Sequence, residues 1–490
     1  MRVRSSSRAM TLPVLFGAFV VGCESATDPV HAGFVSTPAI VDAGYALQDI
    51  GTLGGSFSNA FDVNDAGVVV GRSQTATGAI HAFAFADGVL QDLGSPGSGS
   101  SEAWLVGEGG HVAGIFRDGG ATQTAVWAGG GVSVIDGFGG SFTAPTGVDP
   151  SGTVVGLSQT NDATASRRAF RWSGGVTIDL GTLGGLESEA LAINGAGDAV
   201  GWAHDEFGDF HAVIWPAAGG IQDLGTLGGD LSAALAINDA GVVAGTAQTA
   251  SGEMHAFLWS AGVGMIDLTP GLSGQAEAIA LNDVGQAAVR VMATSDQAFL
   301  WDGAQLLDLA TLGGASSDVV DLDGAGAAAG VSETADGVFV AVVWPSLDPA
   351  PLPLGGADAG AAEAANDGGT IVGNIRFGSV LHAAVWTASG GEGGDEEEGG
   401  VPPPDPIQAL IDAVEAMADG GALSDGRANA LLVSLRNAMR MRDAGRDAKA
   451  LLQLRAFSHK IQAMVYGGDI AAADASALFG MYVDAVTSLG

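Results

Sequence analysis

The chain has 490 residues, 55 of them acidic against 18 basic, for a formal charge of −37. A surface so acidic repels nucleic acid phosphates and anionic lipid headgroups, which excludes nucleic acid as a partner, and the length allows two or three domains. A single cysteine excludes an intrachain disulfide, so stability must come from packing.

Residues 1–23 read as an export signal. Arg2, Arg4 and Arg8 supply a positive start, and Met10–Val21 is apolar but too short for a comfortable membrane span. The segment ends in Val20-Val21-Gly22-Cys23, and Cys23 is the only cysteine. This resembles the lipobox of bacterial lipoproteins, with Val where Leu is usual. The resemblance implies that Cys23 is lipidated and that the protein is exported and membrane-anchored, facing the periplasm or the exterior. Residues 24–44 carry little pattern and read as a tether.

From Tyr45 to about Gly391 one unit recurs. Its clearest copy, Ile221–Gly264, reads IQDLGTLGGDLSAALAINDAGVVAGTAQTASGEMHAFLWSAGVG. The last aromatic of its HAFLW-like segment returns at Phe85, Trp127, Trp172, Trp215, Trp259, Trp301, Trp344 and Trp386, at spacings of 42 to 45 residues. The glycine closing its Asn-Asp-Ala-Gly-like turn returns in step, from Gly67 to Gly369. Repeats of this length are supersecondary units that bury their apolar faces only against their neighbours.

Within the copy, Ala234–Asn238 and Val242–Gln248 flank Asp239-Ala240-Gly241 and predict a hairpin closed by a left-handed glycine. His255–Trp259 and Met265–Leu268 predict a third and a fourth strand, which together make one blade of a β-propeller. Ala46–Ile50 is a fourth-type strand with nothing before it, while the last unit stops after its third strand at Trp386. Pairing the two predicts an eight-bladed β-propeller of four-stranded blades, sealed by its N-terminal strand. A seven-bladed ring that excludes a degenerate unit and an open β-solenoid are the alternatives. The second unit, with Ser95-Pro96-Gly97-Ser98-Gly99, and the sixth, with Thr269-Pro270-Gly271, drift most, so any distortion is expected there. The repeat Trp residues are expected to pack between blades.

The segments Asp223–Gly229, Ile237–Gly241 and His255–Trp259 resemble a bacterial extracellular repeat family named for its HAF tripeptide. The tripeptide stands at His81-Ala82-Phe83 and His255-Ala256-Phe257, with His-Ala again at His211 and His382. The resemblance implies export and the repeat fold but no activity.

Residues 392–405 form an acidic Gly/Pro linker, expected to be an extended spacer. Beyond it the apolar period changes to that of a helix. Leu431, Leu435 and Met439 share one face, as do Leu451, Leu454, Phe457, Ile461 and Met464. Helices are predicted near 406–418, 425–443, 447–465 and 471–488, as a small C-terminal α-helical bundle over 406–490. Leu454-Arg455-Ala456-Phe457 and Ile461 resemble the FIMAH domain of secreted bacterial proteins. Tyr45–Gly391 holds 37 acidic residues against 7 arginines, so the repeats carry the charge.

The sequence offers little chemistry. His81, His211, His255 and His382 fall in four different units and cannot converge on one metal; Gln123, Arg168 and Gln297 fill the same slot elsewhere. The Asx turns are too short for calcium loops, and the Gly-Gly loops precede strands, where a phosphate cradle needs a helix. No catalytic constellation, cofactor motif or metal site is expected. Titratable groups crowd only at Trp202, His204, Asp205, Glu206 and Asp209, the weak candidates for ligand binding. The expected function is a non-catalytic binding module at the bacterial surface, presenting a rim to a protein or glycan. The alternative is an extracellular propeller enzyme, a glycosidase or lyase acting on a polymer. A centre lined by clustered carboxylates, Arg and His would favour the enzyme, and one lined by Gly, Ala and Val the binding module.

Overall fold

The computed structural model describes residues 45–346, 348–355, 360–377, 380–388, 405–420 and 422–443, with 450, 454, 457, 460, 461 and 478. Cys23, the tether, most of the acidic linker and most of the last two predicted helices lie outside them. The chain divides into two compact units, Met1–Glu392 and Gly393–Gly490. Among the described residues no helix is long and apolar enough to cross a membrane.

The fifth repeat shows how a unit folds. Gly228–Ile237, Val243–Thr249, Met254–Ser260 and Gly264–Asp267 form a four-stranded antiparallel meander. In its first hairpin the Gly241 N–H donates to the Asn238 carbonyl at 3.0 Å, and the Asn238 N–H donates to Val242. Gly241 has φ +74, where a side chain would be strained. Asn238 Oδ1 accepts the Val242 N–H at 2.9 Å, so the Asx residue closes the turn that its position predicts.

Six such four-stranded sheets stand separately among the described residues. The second and third units merge into an eight-stranded sheet through one parallel pair, Phe142 with Thr122. That irregularity falls at the most degenerate unit. The sixth unit is shortened, its first strand Gln275–Leu281 holding 7 residues against 10 in Gly228–Ile237.

First strands of successive units touch in a cycle. It runs from Gly54–Val63 through Ser101–Val106, Gly139–Val148, Gly184–Ile193, Gly228–Ile237, Gln275–Leu281 and Gly313–Leu322 to Gly360–Ala365, which returns to Gly54–Val63. An open solenoid would leave the two ends apart. Tyr45–Gly51 pairs antiparallel with Val380–Ala388, Leu47 lying opposite Trp386, so the opening strand completes the last sheet.

Two features recur in the sheets. Every first strand carries a bulge, at positions such as Phe61, Trp104, Leu235 and Glu363. Opposite it, the second strand carries a glycine without room for a side chain. A Cβ on Gly245 would stand 2.1 Å from the Ala233 carbonyl oxygen, and one on Gly71 1.9 Å from that of Asn59. The sixth unit alone has Val289 at this position, consistent with its altered first strand.

Repeat aromatics pack where adjacent sheets meet. Phe257 and Trp259 share a cluster with Val200, Ala212 and Ile214 of the preceding sheet. Indole N–H groups of Trp344 and Trp386 donate to the carbonyls of Ala310 and Gly355 in the loops entering their own sheets, and that of Trp127 to Leu93 on the last strand of the preceding sheet. The indoles therefore serve packing and loop anchoring.

In the second unit, Pro406–Asp419 and Asp425–Asp443 are helices. Asp405 caps the first, accepting the Ile407 N–H at 3.0 Å, with Pro406 opening the helix as its fixed φ favours. Arg442 grips both Asp405 oxygens at 2.5 and 2.6 Å, and this pairing holds the Asp405 carboxyl below the usual range. Leu431, Leu435, Leu454, Phe457 and Ile461 lie in one buried cluster with Ile407 and Leu410, as the helical periodicity predicts.

Candidate functional site

The tripeptide motif becomes a set of contacts once the sheets are assembled. His81 Nδ1 lies 2.9 Å from Asp92 Oδ1, His211 2.8 Å from Asp223, His255 2.8 Å from Asp267 and His382 2.9 Å from Asp49. Arg168 meets Asp179 in the same way at 3.1 Å. Asp92, Asp179 and Asp223 belong to Asp-Leu-Gly segments, Asp49 and Asp267 to the variants Asp49-Ile50-Gly51 and Asp267-Leu268-Thr269, and each also accepts the N–H two residues on, as at Gly225 (2.8 Å) and Gly94 (2.7 Å). The following alanine donates its N–H to a serine of the next sheet in three of the histidine units, Ala212 to Ser232 at 2.8 Å, Ala82 to Ser101 at 2.8 Å and Ala383 to Ser58 at 2.9 Å, while Ala256 donates to Thr269 Oγ1 at 3.2 Å. That serine donates onward to the loop glycine, Ser232 to the Gly225 carbonyl at 2.6 Å. The phenylalanines Phe83 and Phe257 are fully buried. Histidine, alanine and phenylalanine therefore fix a loop, a seam and a core.

The Asx turns form a second chain of contacts. The Asn366 amide donates to the Asn64 carbonyl at 2.9 Å, Asn64 to Gly107 at 3.1 Å, Asn194 to Asn238 at 3.1 Å and Asn238 to Asn282 at 3.0 Å. Acidic residues that follow these Asn residues accept a backbone N–H from the preceding unit, Asp239 from Gly195 at 2.7 Å and Asp65 from Asp367 at 2.9 Å. Among the described residues, no group of three or more His, Cys, Asp and Glu is placed to hold a metal ion.

The innermost strands carry ionisable groups that the sequence reading passed over. Arg72 bonds Asn59 and reaches Glu102 of the next sheet at 3.3 Å. Arg290 bonds Glu277 at 3.2 Å and lies 3.9 Å from Asp318 of the next sheet. Glu363 accepts from the Asn374 amide at 2.9 Å. Asp62 and Asp321 are enclosed at the bulges, where they take the N–H groups of Val106 and Ala365 in the next sheets. Burial pushes Asp62, Glu189 and Glu363 up to about 7 and Asp318, Asp321 and Asp323 up to about 6. The signal was present as polar residues at apolar strand positions, but only the ring shows that Arg72 and Glu102, in different repeats, meet.

The crowded loop separates into a structural and an aromatic part. Asp205 closes the hairpin turn, its Oδ1 accepting the N–H groups of Phe207 (2.8 Å) and Asp209 (3.0 Å). Glu206 is exposed at the turn beside Phe207, which is 81% exposed. Trp202 and His204 lie on the second strand, their rings 5.2 Å apart, and Phe210 meets Trp202 edge-on at 6.0 Å. At the position of His204 other units place Gln74, Gln248 or Glu333, whose side chains accept the N–H groups of Ser56, Asp230 and Ala315.

A shallow cleft of about 340 Å³ between the second and third units is lined by residues that include His111, Val132, Ser151 and Trp172. His111 Nδ1 is buried there without a hydrogen-bond partner.

The molecule is thus a mainly β repeat protein of propeller type with a helical domain after it. Residues 407–483 match the FIMAH domain family. No curated protein matches the chain. TolB from Acinetobacter baumannii is similar in structure at 14% identity and a TM-score of 0.31, over 50% of this chain and 61% of that one. The β-propeller domain of the Trilobed protease from Pyrococcus furiosus is similar at 12% identity and a TM-score of 0.40, over 61% of this chain and 98% of that one. A puromycin-hydrolyzing peptidase from Mycobacterium tuberculosis is similar at 14% identity and a TM-score of 0.39, over 75% and 63%. The chain spans less than two thirds of the length of TolB and of the peptidase. At such scores the likeness does not extend to chemistry.

Proposed function

We propose that this chain is an exported, lipid-anchored repeat protein of the HAF type that acts as a non-catalytic binding module at the bacterial cell surface. The repeats would form an eight-bladed β-propeller, the eight-stranded sheet counting as two blades bridged at Phe142 and Thr122. The acidic segment 392–405 then separates it from a FIMAH-like bundle over 406–490. The inner strands do carry carboxylates beside arginines, the lining named above as the enzyme's mark, but Glu102, Glu277 and Asp318 meet those arginines and Glu363 meets an amide, and this mutual engagement is the observation that supports the non-catalytic reading. Groups so engaged stiffen seams and are poorly placed to exchange protons with a substrate.

The lipid anchor rests on Cys23 and its lipobox-like surroundings. Metabolic palmitate labelling should mark the wild-type chain and leave Cys23→Ser unlabelled and released from membranes. For the binding reading, the chain produced without its signal is screened on glycan and protein arrays. Saturable retention without turnover of the retained ligand is expected; cleavage of an arrayed polymer would establish the enzyme instead.

A further inference from the structure

Two sheets use the same device at one register position. Arg72 stands opposite Asn59 on its own first strand and extends to Glu102 of the next sheet. Arg290 stands opposite Glu277 and extends toward Asp318 of the next sheet. In the fourth unit the corresponding residue is Trp202, opposite Glu189, and the next sheet supplies Ala233 in place of a carboxylate. An uncharged indole stands where the other two units have a guanidinium. Among the described residues no side-chain hydrogen bond to Glu189 is formed, and the charge of Arg167 acts on it.

Glu189 is half-buried, while Trp202, its cross-strand partner, is only 8% exposed. His204 and Phe210 flank Trp202, their rings 5.2 and 6.0 Å from the indole. A half-buried carboxylate to which no side chain of the described residues is bonded, next to an aromatic side chain, suits a cation that donates hydrogen bonds to the one and lies against the other. The acidity of the whole chain raises the local concentration of such ions.

We propose that Glu189 and Trp202 form a receptor for an organic cation, a primary ammonium or a guanidinium, which supplies beside the indole the positive charge that Arg72 and Arg290 supply in their own units. The inference rests on the binding reading above and gives its ligand a chemistry. An anion is repelled by Glu189, and a neutral alcohol lacks the charge.

The test uses the full chain labelled with 5-fluorotryptophan, the Trp202 line being assigned by its loss in Trp202→Phe. Titration with n-butylammonium and butylguanidinium should shift that line, while butanol and butyrate should not. A lysine-containing tetrapeptide run in parallel separates a protein side chain from a free amine as the source. Glu189→Gln should weaken binding at least about tenfold, the loss of one charge-assisted contact. Glu189→Asp, which keeps the charge, should retain binding within a few-fold and guards against misfolding as the cause. Trp202→Arg should abolish binding by calorimetry and raise the thermal midpoint, since it restores the missing guanidinium. Equal response to butanol, or unchanged affinity in Glu189→Gln, overturns the proposal. A chain that retains an array ligand yet ignores both cations would sink this inference and leave the binding reading standing.

Discussion

At the residue scale the strongest constraints come from small side chains. Gly241 and Gly245, four residues apart, are glycine for different reasons: the first for its positive φ, the second because a Cβ would overlap the Ala233 carbonyl oxygen. Gly241→Ala should cost about 1 kcal/mol, and Gly245→Ala about 3 kcal/mol or more, because the backbone of a packed sheet must move. Urea denaturation of the two variants side by side checks the order. Ser232 joins two sheets through the Ala212 N–H and the Gly225 carbonyl, so Ser232→Ala leaves a buried donor unsatisfied. A loss of about 1–3 kcal/mol is expected in the same measurement. These roles were partly legible. Gly241 declares itself beside Asn and Asp, whereas Gly245 sits in an apolar run and acquires its meaning only from the bulged strand across from it.

The element that matters most is the strand Tyr45–Gly51. Without it, Val380–Ala388 would present an unpaired edge, and such edges recruit other chains. A chain beginning at Thr52 should melt at lower temperature and elute partly as oligomers. Hydrogen exchange should accelerate in Val380–Ala388 and leave Val243–Thr249 nearly unchanged; equal protection with and without the strand would deny it this role. The pairing was readable because each end of the repeat array lacks what the other has. The merging of the second and third sheets was not, since it depends on one pair between strands of adjacent units. Polar inner-strand contacts were hidden for the same reason: Arg72 and Glu102 are partners only across a seam.

For the molecule as a whole, charge and burial act in the same direction. Asp62, Glu189, Asp318, Asp321, Asp323 and Glu363 titrate near 6 to 7 because burial disfavours their charged forms. A carboxyl whose folded pKa is raised contributes stability that is fully present below its unfolded pKa, near 4, and is lost as pH rises through the folded value. Asp118, Asp162 and Asp205, held low, act in the opposite sense but only at more acid pH. The thermal midpoint should therefore be higher near pH 5 than near pH 8, and scanning calorimetry across that window reads it directly. Repulsion within a chain of formal charge −37 adds to the same slope. Raising salt from about 0.05 to 0.5 M at pH 8 should recover part of the loss by screening.

The pairing of Tyr45 with Ala388 has a mechanical consequence. The polypeptide enters the closing sheet at Tyr45 and leaves it at Ala388, directly opposite, so both strands are open at one end of their ladder. Tension applied between the preceding and following segments would load these bonds one at a time, as in unzipping, where a parallel arrangement would share the load in shear. A molecule held at its leading end and pulled from its trailing end should yield first at the clasp, at low force, with the remaining sheets intact.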